Sequence, residues 1–436
     1  MEIKEIVPKQ KIDTTIEIPG SKSYANRALI IAALAKGDVS RGFIKGSAQG
    51  TTHLKNVPTC DDVKYMLEAI KKLGAKIEEI SKTEVKITPP QKLHFDGEIN
   101  VGGAGTTMRF LTSLISLGTG NILLSGNARM CERPIEDLVE ALESNIDGTI
   151  EAQNKTEKGE RCPPLKINSN GLKGGVIKLK GDTSSQYLTS ILLSAPYAKK
   201  EVNIEIIGEL TSKSYADITI DVMKQFGIKV KNNNYASFEV PKTKYVAREY
   251  FIESDASGVS YFLGATAVVG GKIRINNINP TSAQGDIHFI DVLEKMGCKI
   301  EKGNDYLQLE SDGDLQGVEV DMNSMPDTAQ TLAVVASFAK GKTKIIGIGN
   351  LRVKETNRIE ALKNELEKCG VKVEAGDDYI IVKGGKPKGT IISTYDDHRM
   401  AMSFAVMGAK IPGIIIENPS CVSKSFPGFW ELFGKI

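Results

Sequence analysis

No CxxC pair occurs among the six cysteines of this 436-residue chain, so neither a zinc site nor a disulfide framework is indicated, and a reducing, cytoplasmic setting is expected. No run of apolar residues approaches the roughly 18 needed to span a membrane; residues 29–35 and 331–339, among the longest, reach about half of that. Charge of one sign is also missing. Lys and Arg total 56 against 54 Asp and Glu, a net +2, which argues against a nucleic-acid scaffold. The first residues, Met-Glu-Ile-Lys-Glu-Ile, put acids where a signal peptide has its apolar core. Strand-like sequence follows at once, so no transit peptide is expected. GxxxxGK[ST] is absent, and the Gly-rich stretch 102–109 lacks the last glycine of GxGxxG, so nucleotide-binding folds find no support. There is no Ser-His-Asp order and no acid spacing of a metal loop.

What the chain does have is repetition. One segment type is an amphipathic helix that stops at Gly and runs into an alternating strand. Residues 62–79 read DVKYMLEAIKKLGAKIEE, and 216–231, 286–302 and 358–374 follow the same plan. Residues 135–152 form a weaker copy, and 426–436 resemble one cut short. Between them lies a second type, apolar on all sides, beginning near Ser23, Gly105, Ser184, Ala256, Asp327 and His398. A helix apolar all round must be buried. Six pairs at a spacing of roughly 70–80 residues predict an α/β chain of six βαβαββ-like units.

The starts of the apolar helices carry Ser, Thr, Asp or Gly, often beside a cation. Capping accounts for the hydroxyls. It does not account for Lys22 and Arg27 in the first turns after Gly20, or Arg399 after His398, since a helix N-terminus repels cations. Cations there need anionic partners. The Gly-rich turn before Gly105 suits close backbone approach to a ligand. Arg129 and Arg133 precede a helix-opening Pro134, and Arg129 is a candidate phosphate or carboxylate clamp. Asp182-Thr183-Ser184-Ser185-Gln186 places polar side chains at the mouth of an apolar helix, and Lys354 and Arg358 fall on one helix face. The composite is a site rich in Lys and Arg with few acids, suited to a small substrate bearing phosphate and carboxylate.

PGSKSYANRAL (19–29), RMCERPI (129–135), DTSSQYLTSIL (182–192), MPDTAQTLA (325–333), RVKETNRI (352–359), YDDHRMAMSF (395–404) and KSFPGF (424–429) stand in one order along essentially the whole chain. In this the chain resembles the 5-enolpyruvylshikimate-3-phosphate synthases, or 3-phosphoshikimate 1-carboxyvinyltransferases. The resemblance implies a two-lobed, inside-out α/β fold with three βαβαββ units per lobe. The lobes would be 21–241, and 1–20 with 242–436, and the active site would lie in the cleft between. It implies transfer of the enolpyruvyl group of phosphoenolpyruvate to the 5-hydroxyl of shikimate 3-phosphate with loss of phosphate. It implies no metal or organic cofactor, no nucleic-acid or membrane partner, and a monomer.

By the same resemblance, Lys22, Ser23, Arg27, Ser184, Ser185, Gln186, Ser212, Tyr215, Asp327, Asn350 and Lys354 would hold shikimate 3-phosphate. Lys22, Gly103, Gly105, Arg129, Gln186, Arg358, Arg399 and Lys424 would hold phosphoenolpyruvate. Lys22, Asp327, Glu355 and His398 would act in catalysis, with Asp327 taking or orienting the 5-hydroxyl proton. The family's inhibitor glyphosate would occupy the donor pocket, where a methyl group on Gly105 would intrude on it. The sequence departs from the family pattern at Gly103 (usually Asn), Phe110 (often Pro) and Ser214 (often Pro), and segments 43–59 and 144–163 read as irregular. UDP-N-acetylglucosamine enolpyruvyl transferase, RNA 3′-phosphate cyclase and a non-catalytic anion-binding relative are the competing readings. KSYANR, the SSQ run and RVKETNRI favour shikimate 3-phosphate over the first. Near-neutral charge and the lack of a nucleotide motif count against the second. Asp327 and Glu355, which anion binding alone does not need, count against the third.

Overall fold

The computed structural model describes residues 2–37 and 50–436. They fall into two compact units, Gly20–Ile252, and Met1–Pro19 with Glu253–Ile436. Residues 242–252, which the sequence reading put with the C-terminal lobe, lie in the unit of Gly20–Ile252. Strand Glu249–Phe251 pairs in parallel with Thr52–Lys55 and binds that stretch there.

One repeat is complete in strand Gly97–Asn100, helix Gly105–Ser116, strand Thr119–Ser125, helix Glu136–Glu143 and strands Ile146–Lys155 and Arg161–Leu172. Its first two strands are parallel, and the last two return antiparallel. The same order recurs from Gly175 to Val240 and from Glu319 to Lys383. Two further repeats have exchanged leading strands. Ile12–Glu17 leads the sheet of Gly271–Asn276 in one unit, but the next helix in the chain, Lys22–Ala32, belongs to the other unit. The repeat of that helix, whose sheet contains Thr52–Lys55, is led instead by Glu249–Phe251. In the sixth repeat Ile391–Ile392 and Ile415–Glu417 run parallel, and Ile3–Glu5 supplies the antiparallel third strand. Its closing helix is the short Phe429–Lys435.

The two helix types differ in burial as their patterns require. Asp61–Lys72 buries Val63, Met66, Ala69 and Ile70 along one face. Ala256–Val269 is buried at every residue. In its unit it packs with Ala329–Ala336 and His398–Lys410. Three of their buried hydroxyls meet one another: Ser260 Oγ lies 3.2 Å from Thr331 Oγ1, which lies 3.3 Å from Ser403 Oγ. Gly264 makes that approach possible, since a Cβ there would stand 3.0 Å from Thr331 Cγ2.

The segment 144–163, read as irregular, is largely a hairpin of the strands Ile146–Lys155 and Arg161–Leu172, whose alternation is interrupted by register shifts at Ile146/Gly148 and Ala152/Asn154. Of the segment 43–59, residues 43–49 lie outside the described residues, and the rest contains the strand Thr52–Lys55. All six cysteines are free. No helix among the described residues is long and apolar enough to cross a membrane.

Candidate active site

In the unit of Gly20–Ile252 the starts of three buried helices meet. Ser21 caps Lys22–Ala32, and Ser184 caps Ser185–Ser194 by accepting from Gln186 N at 3.3 Å. Gln186 Nε2 donates to Thr106 Oγ1 at 3.3 Å, tying that helix to the start of Gly105–Ser116. Lys22 Nζ donates to Asp62 Oδ2 at 3.0 Å, and the Asp62 carbonyl accepts from Thr107 Oγ1 at 3.2 Å. Lys22, Gln186 and the Gly105 turn therefore belong to one cluster, held by Asp62.

Arg27 lies below it, fully buried. Its Nε donates to Thr219 Oγ1 at 2.9 Å, Nη1 to the Ser23 carbonyl at 2.8 Å, and Nη2 to Thr189 Oγ1 at 3.2 Å and the Tyr215 carbonyl at 3.0 Å. The rings of Phe110 and Tyr215 stand 5.4 and 6.0 Å from the guanidinium. Burial lowers its pKa to about 10, against the pull of Tyr215 and Tyr24. Ser212, buried at a left-handed φ of 53°, opens the helix Lys213–Gln225 that carries Tyr215. The side chain of Arg129 is 43% exposed and pairs with Glu132 at 3.0 Å.

The other unit holds a buried charge network. Arg358 opens the helix Arg358–Lys368 and is 1% exposed. Its Nε donates to Asp397 Oδ2 at 2.7 Å, Nη1 to Asp327 Oδ1 at 3.2 Å, and Nη2 to Glu355 Oε2 at 2.8 Å. Burial lowers its pKa, but Asp397, Glu355 and Asp327 outweigh that and raise it. Arg399 Nη2 donates to Asp327 Oδ2 at 2.6 Å, and its Nη1 to Tyr261 Oη at 3.1 Å. Lys424 Nζ lies 3.7 Å from Glu355 Oε1. Asp397 caps the helix His398–Lys410, and its Oδ1 lies 3.7 Å from the Nδ1 of buried His398. Asn350 and Lys354 sit at the 3₁₀ turn Gly349–Val353 just before Glu355.

The structure brings together Asp327, Glu355, Arg358, Arg399 and Lys424, and corrects one expectation. The site is not poor in acids: Arg358, Arg399, Lys22 and Lys424 each have a carboxylate within ion-pairing distance. Of these acids, Asp62 and Asp397 were given no role in the sequence. Asp62 reads there as an ordinary first-turn acid, and Asp397 as a cap before His398. Tyr261 and Ser257 lie inside an apolar run and gave no signal.

Asp286 was also missed. It is buried, Ser257 Oγ donates to its Oδ2, and its Oδ1 has no hydrogen-bond partner. Burial, then the charge of Asp327, raises its pKa to about 7, with Arg399 opposing. The folded state thus keeps a proton that the unfolded chain releases near pH 4. This carboxyl costs no stability below that pH and an increasing amount as pH rises to about 7. Thermal unfolding of Asp286→Asn should therefore show a gain in Tm over the parent that grows between pH 4 and 7 and then levels off. A gain independent of pH would remove this reading.

A family model described as EPSP synthase (3-phosphoshikimate 1-carboxyvinyltransferase) matches residues 6–433. A 3-phosphoshikimate 1-carboxyvinyltransferase of Vibrio vulnificus is 43% identical over 438 residues, covering 99% of this chain and 98% of its own. The protein of that name from a Sulfurovum species is 44% identical over 436 residues, covering 98% of each. The solved EPSP synthase of Acinetobacter baumannii superposes with a TM-score of 0.79 at 26% identity, covering all of this chain and 98% of that one. Matched over nearly its whole length by that family model and by relatives above 40% identity, the chain belongs to the EPSP synthase family.

Proposed function

We infer that the chain transfers the enolpyruvyl group of phosphoenolpyruvate to the 5-hydroxyl of shikimate 3-phosphate and releases inorganic phosphate. The observation that carries this is the network in which buried Arg358 holds Asp327, Glu355 and Asp397 beside Arg399 and Lys424. Addition needs a proton delivered to the methylene carbon of the donor and one removed from the acceptor hydroxyl as the new C–O bond forms at C2. Elimination then takes a proton back from the methyl carbon as phosphate departs. Two carboxylates fixed by one arginine supply an acceptor and a donor of protons, and the surrounding cations oppose the donor's negative charge.

In this reading Asp327 takes the hydroxyl proton, and Glu355 with Lys22 serves the donor's carbon and leaving phosphate, with His398 supporting them. Ser23, Arg27, Ser184, Ser185, Gln186, Ser212, Tyr215, Asn350 and Lys354 serve shikimate 3-phosphate, and Gly103, Gly105, Arg129, Arg358, Arg399 and Lys424 serve phosphoenolpyruvate. No cofactor enters any step. Free cysteines support a reducing cytoplasm, and the chain is taken to act as a monomer. Phosphate release from phosphoenolpyruvate should depend on shikimate 3-phosphate and not on UDP-N-acetylglucosamine. Release with neither acceptor, or only with the second, would refute this function.

The same reading makes the enzyme sensitive to glyphosate, competitively with phosphoenolpyruvate. A Cβ on Gly105 would stand 2.6 Å from Arg133 Nη1, so alanine has to push that guanidinium aside. Gly105→Ala should raise the glyphosate inhibition constant by about tenfold or more, and the KM for phosphoenolpyruvate by less. Inhibition measured at several donor concentrations checks both, and equal changes would count against the assignment.

A further inference from the structure

Gln284 and Asp286 stand on a turn that is tied to the start of the buried helix Ala256–Val269. Gln284 Oε1 accepts from Ala256 N at 3.1 Å, and its Nε2 donates to the Ser254 carbonyl at 2.9 Å. This sets Asp286 against Ser257, the second residue of the helix, whose Oγ donates to Asp286 Oδ2. A serine hydroxyl has one hydrogen and two lone pairs. With the hydrogen committed to Asp286, the lone pairs are left for Arg399, whose Nη2 donates to Ser257 Oγ at 3.5 Å. Tyr261, one turn further along the same helix face, accepts from Arg399 Nη1 at 3.1 Å. Arg399 Nη2 also meets Asp327 Oδ2 at 2.6 Å. The guanidinium is thus held between a carboxylate and two hydroxyls of one helix.

Packing alone does not account for Asp286. It is buried, its Oδ1 has no hydrogen-bond partner, and the charge of Asp327 opposes its own. A buried carboxyl with one unsatisfied oxygen costs stability that an apolar side chain would not. What it does satisfy is Ser257. We propose that Asp286 is a positioning residue for the reaction: by keeping the Ser257 hydroxyl an acceptor, it holds Arg399 back from closing fully onto Asp327. The guanidinium is then kept for the donor's negative charge, and Asp327 for the hydroxyl proton. This rests on the function inferred above. Without Asp286, the Ser257 hydroxyl can turn its hydrogen toward Arg399. The pull of Asp327 is then opposed by Tyr261 alone, and Arg399 and Asp327 neutralise each other more completely.

The test uses the full chain and steady-state kinetics on Ser257→Ala, Asp286→Leu, their double variant and Asp286→Asn. Ser257→Ala and Asp286→Leu should each raise the KM for phosphoenolpyruvate about fivefold or more, with the KM for shikimate 3-phosphate within about twofold. The double variant should be no worse than the more affected single one, because both changes cut the same link. Asp286→Asn keeps an acceptor oxygen for Ser257 and should recover most of the loss seen in Asp286→Leu. Additive losses, an unchanged donor KM in Ser257→Ala, or equal losses for both substrates would overturn the proposal. So would an Asp286→Asn as impaired as Asp286→Leu. If Asp286→Leu fails to fold, Ser257→Ala still decides on the donor KM and Asp286→Asn on the acceptor oxygen. If the parent shows no acceptor-dependent phosphate release, the inferred function fails. Calorimetry of phosphoenolpyruvate binding to the parent and to Ser257→Ala then decides separately whether Ser257 keeps Arg399 available to an anion.

Discussion

Lys22→Met should lower kcat by about 10³-fold while the chain still folds. Lys22 stands at the start of a buried helix, where the helix dipole opposes a cation, and is kept there by Asp62 at 3.0 Å. Methionine preserves its length and its contacts along the stem, and removes the charge that meets the donor. Asp62, only 3% exposed in its side chain, is then left without that cation, which costs stability, on the order of 3 kcal/mol for a fully buried pair and less for this partly exposed one. Lys22→Met/Asp62→Asn separates the two consequences. The double variant should recover the lost Tm and none of the lost turnover. If it recovers turnover too, Lys22 acts through structure, and the assignment of this helix start to chemistry falls.

The fold was legible because its repeat is written in two periodicities. Stretches such as DVKYMLEAIKKLG and SGVSYFLGATAVVG demand one-sided and all-round burial, and Asp61–Lys72 and Ala256–Val269 show these two patterns. The exchange of the leading strands was not legible. Ile12–Glu17 and Glu249–Phe251 have the same strand-like character wherever they pair, and nothing local in either records that the next helix lies in another unit. The hairpin 146–172 was hidden for a different reason. The end of its first strand, Ile146–Lys155, is exposed on both faces, so burial imposes no alternation there, and bulges shift what alternation remains.

At the site, sequence identified the cations and overlooked what holds them. Lys22, Arg27 and Arg399 stood out as charges in the wrong place for a helix start, and Arg358 as a cation sharing a helix face with Lys354. Asp62 lies 40 positions from Lys22, and Asp397 lies 39 from Arg358, so no spacing rule connects them. Asp286 shows the same limit more sharply. Its raised pKa comes from burial and from Asp327, facts of packing with no local sequence signature.

Asp327→Asn and Glu355→Gln should each lower kcat by about 10²- to 10⁴-fold and change the affinity for shikimate 3-phosphate far less. Both replacements keep shape and one acceptor oxygen, so Arg358 retains a partner at each position. What disappears is a negative charge and a site for a proton. For Asp327 the argument goes further, because its two oxygens accept from Arg358 at 3.2 Å and Arg399 at 2.6 Å. The proposed donor-binding arginines are thus partly neutralised by the very group that takes the hydroxyl proton. Removing that charge leaves both guanidiniums more attractive to an anion. Asp327→Asn should therefore bind phosphoenolpyruvate more tightly, by several-fold in calorimetry, while turning it over far more slowly. Opposite signs in donor binding and turnover are hard to obtain from damage to the fold, which weakens both. Parallel losses in affinity and rate would make Asp327 a brace for Arg358 and Arg399 and would leave the removal of the hydroxyl proton without an acceptor in this network.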